Sequence, residues 1–231
     1  MGVIMPAEIL SLDMDWFNYL SSYKISQPSK IDLKRDIQKF FTRLNKECVL
    51  PEYVDLVSEH HYLYPWSMKL MERLFFNTMN VINIDDHHDF YNLGWLKYCE
   101  EDEVNCSNFF GIMVDQNLLE NYTWICNRNY KNNQKKDLLS SLKKGSITIQ
   151  EFKGNIEVYT REDVFKILSG KKFDGFIIVR SPKYTFSRRT VYDAVNKALD
   201  KEKLKVRQYT CRSVFRHHKI GQRANSLFQM V

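Results

Sequence analysis

The stretch Val81–Phe90, Val-Ile-Asn-Ile-Asp-Asp-His-His-Asp-Phe, constrains this chain more than any other. Val81, Ile82 and Ile84 run straight into Asp85, Asp86, His87, His88 and Asp89. A short apolar run bounded by polar residues reads as a buried strand. In open α/β sheets the chemistry sits outside the carboxyl ends of the strands. Ionisable side chains crowded there are costly to desolvate unless something pairs with them, and a divalent cation does so well. Asp85, His87 and Asp89 alternate, so an extended chain turns all three to one side. That is a spacing of metal ligands; a solvated acidic loop after a core strand is the plainer alternative.

The same logic recurs twice upstream. Glu8–Leu12 reads as a strand ending in Asp13-Met14-Asp15-Trp16-Phe17, with two aspartates two positions apart. Val54–Val57 reads as a strand running into Ser58-Glu59-His60-His61. An isolated Asp-x-Asp is usually a turn, and a lone histidine is usually structural. Three strand exits carrying ligand-type residues together favour a metal site.

The remaining chain has an α/β rhythm. Lys30–Lys46 carries an apolar helical stripe at Ile31, Leu33, Ile37, Phe40, Phe41 and Leu44. Pro65 punctuates the chain before a helix over Ser67–Asn77. Tyr91–Glu103 reads as a short helix, and Asn105-Cys106-Ser107-Asn108-Phe109 as a polar loop able to line a substrate pocket. Strands are expected at Tyr122–Cys126, Ile156–Tyr159 and Phe176–Val179, with an exposed Lys/Asn-rich segment over Asn129–Lys144. Thr160-x-x-Asp163 resembles a capping box for a helix to Leu168 that stops at Gly170. Ser187 opens a helix to about Lys201. The basic tail from Lys203, including His217-His218, reads as solvated.

A chain of 231 residues suits one domain spanning 1–231. An aromatic share of 14% argues against disorder. The net charge of +6 permits an anionic partner without demanding one. No basic motif interleaved with aromatics appears, which argues against nucleic acid. No segment has the length of a membrane span, and the N-terminus lacks a signal-peptide layout. Cys48, Cys99, Cys106, Cys126 and Cys211 form neither a disulfide framework nor a metal knuckle, which fits a reducing cytoplasm. A homo-oligomer is left open.

The three exits together offer Asp13, Asp15, His60, Asp85, His87 and Asp89. A structural zinc prefers four Cys or His ligands in a closed site. This oxygen-rich set instead suits a pair of divalent cations bridged by carboxylates and favours manganese. At this point the chain resembles the arginase/deacetylase superfamily. The hallmark Asp-x-His-x-Asp is met by Asp85-Asp86-His87-His88-Asp89. Ser11-Leu12-Asp13-Met14-Asp15 is similar to the superfamily's Ser-Phe-Asp-x-Asp, and Glu59-His60 to its acid-His pair. Arginases carry Asp-x-Asp last, whereas here it comes first, a circular shift of motif order. Glu-His-His-x-x-x-Pro-Trp at Glu59–Trp66, upstream of Asp-x-His-x-Asp, resembles a ureohydrolase-like family that includes the peptide arginases of ribosomal-peptide biosynthesis. The resemblance covers roughly Leu10–Asp89.

The resemblance implies a three-layer α/β/α sandwich around a mainly parallel sheet, arginase-like with permuted motif order, and a centre of two Mn2+. It implies hydrolysis of a guanidinium group, with an arginine-containing precursor peptide or a small guanidino molecule as substrate. Single-zinc deacetylases resemble Asp-x-His-His-Gly, so Asp89 favours ureohydrolase chemistry. In that reading Asp89 is ligand and proton acceptor. Asp13 and Asp85 bridge the metals, with His87 on one, His60 on the other and Asp15 completing the set. The histidine that arginases carry shortly after this motif is missing from Phe90–Asn121, so His61 or His88 is the candidate shuttle. Glu59, Trp16, Trp66, Asn105, Ser107 and Asn108 are the candidate substrate-binding residues. A metal-dependent deacylase or amidinohydrolase acting on a small molecule is the alternative within the fold. A non-catalytic metal-containing protein that binds peptide or nucleic acid is the alternative from another class.

Overall fold

The computed structural model describes residues 5–19, 30–89, 109–126, 136, 154–182, 185 and 188–209. Strands β1 (Ala7–Asp13), β2 (Tyr53–Val57), β3 (Met79–Ile84), β4 (Leu119–Cys126), β5 (Ile156–Thr160), β6 (Gly175–Val179) and β7 (Lys205–Gln208) form one sheet. Their order is β5-β4-β3-β1-β6-β2-β7. Every neighbouring pair is parallel. Helices α1 (Lys30–Glu47), α2 (Leu63–Leu74), α3 (Phe109–Asp115), α4 (Val164–Leu168) and α5 (Arg188–Lys201) cover its two faces.

Burial explains the layers. On α1, Leu33, Ile37, Phe40, Phe41 and Leu44 recur at helical spacing and sink into a cluster shared with Val191, Val195 and Leu199 of α5 and Val164 and Leu168 of α4. Ile31, expected on that stripe, is 75% exposed. The opposite face of the sheet is covered by Leu63, Trp66, Leu70 and Met71 of α2 and Phe109, Phe110 and Met113 of α3. The result is the α/β/α sandwich expected, with the central strands β1, β3 and β6 buried on both sides as parallel sheets require, and the edge strands β5 and β7 more open.

Topology positions the site. From β1 the chain leaves through α1 toward β2 on one side; from β3 it proceeds toward β4 on the other. β1 and β3 are neighbours, in register from Ala7↔Met79 to Leu12↔Ile84. Adjacent strands whose connections diverge open a crevice at their carboxyl ends, the usual ligand position in such sheets.

Several local expectations change. Helix α2 begins at Leu63, so Pro65 lies inside its first turn, where a missing N–H costs nothing. Thr160 makes no side-chain capping bond, and a short 3-10 turn at Arg161–Asp163 precedes α4. Gly170 does adopt the left-handed φ of 75° that stops a helix. The basic segment from Lys203 is no solvated tail at its start, because β7 pairs with β2 there. Lys205 contacts Glu52 at 2.6 Å, and Arg207 donates to both oxygens of Asp55 at 2.8 and 2.7 Å. Opposite charges thus convert a basic run into an edge strand. The expected helix over Tyr91–Glu103, the segment Asn129–Lys144 apart from the exposed helical Lys136, Ser187 and His217-His218 lie outside the described residues. Among the described residues no helix is long and apolar enough to cross a membrane.

Gly175 opens β6 where a β-carbon would sit 2.6 Å from both Leu70 Cδ2 and Trp66 Cη2. Gly175→Ala therefore overpacks the sheet–α2 interface and should cost about 1–3 kcal/mol. In thermal denaturation that is a drop of roughly 2–4 °C per kcal/mol.

Candidate metal centre

Strand alternation delivers the carboxylates to one side. Along β1, Leu10 and Leu12 face α1 and α5, while Ala7 and Ile9 face α2 and α3. Alternation then places Ser11 and Asp13 on the α2–α3 side. On β3, Ile82 and Ile84 face one way and Met79 and Val81 the other, so Asn83 and the following Asp85 share the side of Asp13. Ser11 and Asn83 are register partners.

Each aspartate ends its strand in the same local turn. The Asp15 N–H donates to Asp13 Oδ1, and the His87 N–H donates to Asp85 Oδ1, both at 2.9 Å. An Asp side chain bonded two residues ahead is an Asx turn. Here it folds residue i+2 back toward residue i, and Asp15 and His87 join the cluster in this way.

Two groups result, Asp13–His60–Asp85 and Asp15–Asp85–His87, and each could hold a metal ion. Asp85 belongs to both. Its Oδ2 lies 3.0 Å from His60 Nδ1, and its Oδ1 lies 3.8 Å from His87 Nδ1. His60 Nδ1 is also 3.4 Å from Asp13 Oδ2 and 2.7 Å from Asp89 Oδ2. His87 Nδ1 lies 3.2 Å from Asp15 Oδ2. The His60 side is buried, with Phe109 and Phe110 ring centroids 5.0 and 6.3 Å from the imidazole. The His87 side chain is 35% exposed. Asp13, expected to bridge alongside Asp85, falls in the His60 group alone.

Supporting groups hold the ligands. Ser11 Oγ is hydrogen-bonded to His60 Nε2 at 3.1 Å, which leaves Nδ1 pointing into the carboxylates. Ser181 donates to Asp13 Oδ2. Asn83 Nδ2 donates to Asp85 Oδ2 at 3.4 Å and to the Tyr122 hydroxyl at 3.2 Å. The Tyr122 hydroxyl in turn donates to the His88 carbonyl at 2.9 Å, and Trp124 Nε1 donates to the Asp85 carbonyl at 2.9 Å. Sequence reasoning gave Asn83, Tyr122, Trp124 and Ser181 no role at the site. A usable signal was present: a polar residue two positions before the terminal aspartate, in an otherwise apolar strand, at both Ser11 and Asn83.

The other expected residues are placed differently. Trp16 is buried in an aromatic cluster, 5.4 Å from both Phe17 and Phe40, where packing against α1 claims it. Trp66 donates to Asp55 Oδ2 at 2.8 Å and packs over Gly175, at the amino end of β6. His61 lies on Tyr62 at 4.4 Å, and His88 is fully buried edge-on to Trp124 at 5.3 Å. Neither histidine joins a ligand group. Glu59 precedes the His60–Tyr62 turn without capping it, and the hydrogen bond to His60 Nε2 comes from Ser11. Asn105, Ser107 and Asn108 lie outside the described residues.

The electrostatics are those of a site built for cations. Burial, then the neighbouring Asp85, raises Asp15 to about 6 and Asp89 to about 7. Burial, with Asp15 and Asp85 nearby, also raises Asp13 well above the carboxylate range. Burial works upward on Asp85 as well, but His60 and His87 outweigh it and hold that carboxyl low. Burial would lower His60 and His87; Asp89 and Asp85 raise the first, and Asp15 and Asp85 the second, above the ordinary imidazole value. One imidazole nitrogen carries at most one hydrogen, yet three carboxylates converge on His60 Nδ1. Asp15 Oδ1 and Asp89 Oδ2 are buried with no hydrogen bond among the described residues; the close approach of Asp89 to His60 is off the line of an N–H. These residues fit a divalent cation, which satisfies several carboxylate oxygens at once.

Comparison with models of known families, with curated proteins and with solved structures found no match to this chain.

The pKa directions fix a pH dependence. Asp15 and Asp89 sit above the unfolded carboxylate value of 3.8, so in chelator-treated protein the folded state binds more protons than the unfolded state above about pH 4. Stability of that form falls as pH rises through about 6 and 7, and raised His60 and His87 extend the same sign above pH 6.5. A divalent cation replaces those protons, so its stabilising effect grows with pH. Melting curves at pH 5.5 and 8, with chelator or with Mn2+, should show the gap widening by roughly 2–4 °C for each kcal/mol gained. A gap that narrows with pH contradicts the assignment.

Proposed function

We propose that this protein is a metal-dependent hydrolase of the ureohydrolase type, converting peptide-borne arginine to ornithine with release of urea. The observation that carries the reading is the division of one carboxylate, Asp85, between two Asp/His groups. Asp13, His60 and Asp85 would hold one cation, and Asp15, His87 and Asp85 the second; Asp89, expected as a ligand, belongs to neither group and lies beside His60. The excess of carboxylate over imidazole favours manganese. Bound there, the cations supply a hydroxide nucleophile at neutral pH and polarise the guanidinium.

The chain's own residues do the remaining work. Asp85, the residue common to both groups, would serve both cations. Phe109 and Phe110 keep water from the His60 flank. Asp89, 2.7 Å from His60 at the edge of the cluster, would accept a proton and return it to the departing nitrogen. The water oxygen bonds to the guanidinium carbon, the bond from that carbon to Nε breaks, and Nε leaves with the electron pair and takes the proton. Asp89 would take the shuttle role for which His61 and His88 are the candidates, since His61 packs on Tyr62 and His88 is buried against Trp124. The half-exposed His87 flank is the side open to a side chain presented by a larger molecule.

The test is urea release by the manganese-loaded protein from arginine-containing peptides, free arginine and agmatine. Urea from peptides alone supports the reading; turnover of agmatine or loss of an acyl group moves the substrate to the small-molecule class. Asp85→Asn disables both groups and should lower the rate roughly 10³-fold or more. Elemental analysis should show Asp15→Asn losing only part of the metal that Asp85→Asn loses.

A further inference from the structure

One hydroxyl outside the ligand set reaches into the centre. Ser181 lies just past the end of β6, is 4% exposed, and donates to Asp13 Oδ2, the oxygen that faces His60 Nδ1 at 3.4 Å. Its backbone is left-handed, with φ of 43°.

That conformation is informative by comparison. Phe75, Asp89, Asn117, Ser181 and Lys203 are the described non-glycine residues with positive φ. Phe75 is the left-handed C-cap of α2, and Asn117 and Lys203 follow directly on the ends of α3 and α5. Left-handed residues are ordinary helix stops there. Asp89 and Ser181 end no helix, and both contact the Asp/His cluster. A strained backbone persists only where its surroundings over-determine it. The Ser181 N–H donates to the Ser58 carbonyl at 3.1 Å, and the Ser181 carbonyl accepts both the N–H and the hydroxyl of Thr185 at 3.0 Å. Arg180 N–H donates to the Val57 carbonyl at 3.0 Å. The exit of β6 is thereby stitched to the exit of β2, the strand that leads to His60, while the hydroxyl holds the end of β1.

We infer that Ser181 is a positioning residue of the metal centre, whose hydroxyl fixes the Asp13 carboxylate so that Asp13, His60 and Asp85 converge on one cation. The inference rests on the metal-centre reading above. With Oδ1 held by the Asp15 N–H and Oδ2 by Ser181, the carboxylate cannot rotate. Each oxygen keeps a lone pair for a cation. The Asp15–Asp85–His87 group does not include Asp13, the residue that Ser181 holds.

Chelator-treated wild type, Ser181→Ala and Ser181→Gly are titrated with Mn2+ by calorimetry and by the electron paramagnetic resonance of bound manganese, and melted without metal. Both variants should lose about 10–100-fold in affinity at one site and keep the other, as removal of a group supporting a ligand does. Glycine relieves the left-handed backbone, so Ser181→Gly should melt at or above Ser181→Ala yet show the same metal defect. If wild type binds Mn2+ and both variants match it, Ser181 has no positioning role while the centre stands. If Ser181→Gly recovers affinity together with stability, the residue serves the backbone alone and the inference falls. If wild type binds no divalent cation, the metal reading itself fails.

Discussion

Everything around the strand exits depends on burying five carboxylates, Asp13, Asp15, Asp85, Asp86 and Asp89, in one place. Isolated ions in a protein interior cost several kcal/mol each, so carboxylates persist there only with compensating charge and hydrogen bonds. The chain supplies the hydrogen bonds from its own backbone and from Asn83 and Ser181. It supplies only part of the charge. Two imidazoles, one of them shared among three carboxylates, cannot neutralise the set. The shortfall is why Asp13, Asp15 and Asp89 are all driven toward protonation while Asp85, which holds both imidazoles, is not.

The permuted order of the motifs is harmless for a topological reason. What the centre needs is adjacency of the two strands that end in aspartates, and β1 and β3 are adjacent whatever their order in the chain. His60 poses the harder problem, because β2 is separated from β1 by β6. The solution is the short turn His60–Tyr62 at the head of α2, which carries the imidazole back over the end of β6. The β6 exit is consequently sandwiched beneath that turn and must bond to both neighbours, which the backbone of Arg180 and Ser181 and the hydroxyl of Ser181 accomplish.

The ligand residues were legible because the local physics is short-ranged: an apolar run, an abrupt change to carboxylates, and alternation of side chains. The fold class followed from the same runs. What escaped was set by distant partners. β7 looked like solvated basic chain until Asp55 and Glu52 supplied its counter-charges, and neither is near it in sequence. Helix α3 was hidden behind a polar segment, although Phe109 and Phe110 form the wall beside His60. Trp16 and Trp66 are candidates for substrate binding only by their nearness in sequence to the motifs, and core packing is the plainer expectation for each; Phe17 and Phe40 claim the first and Asp55 the second.

Charge arithmetic links the site to the proposed substrate class. With neutral imidazoles the five buried carboxylates, Asp13, Asp15, Asp85, Asp86 and Asp89, carry −5. One divalent cation would leave −3 in a buried space, a state that protonation of a raised carboxyl such as Asp89 would relieve. Two divalent cations would leave −1, and the hydroxide of the proposed reaction would make it −2. A planar +1 guanidinium entering from the half-exposed His87 side would lower that excess. An acyl substrate, carrying no charge at the reacting carbon, would leave the −2 untouched. The surplus of carboxylate over imidazole therefore favours a cationic reacting group over a neutral one.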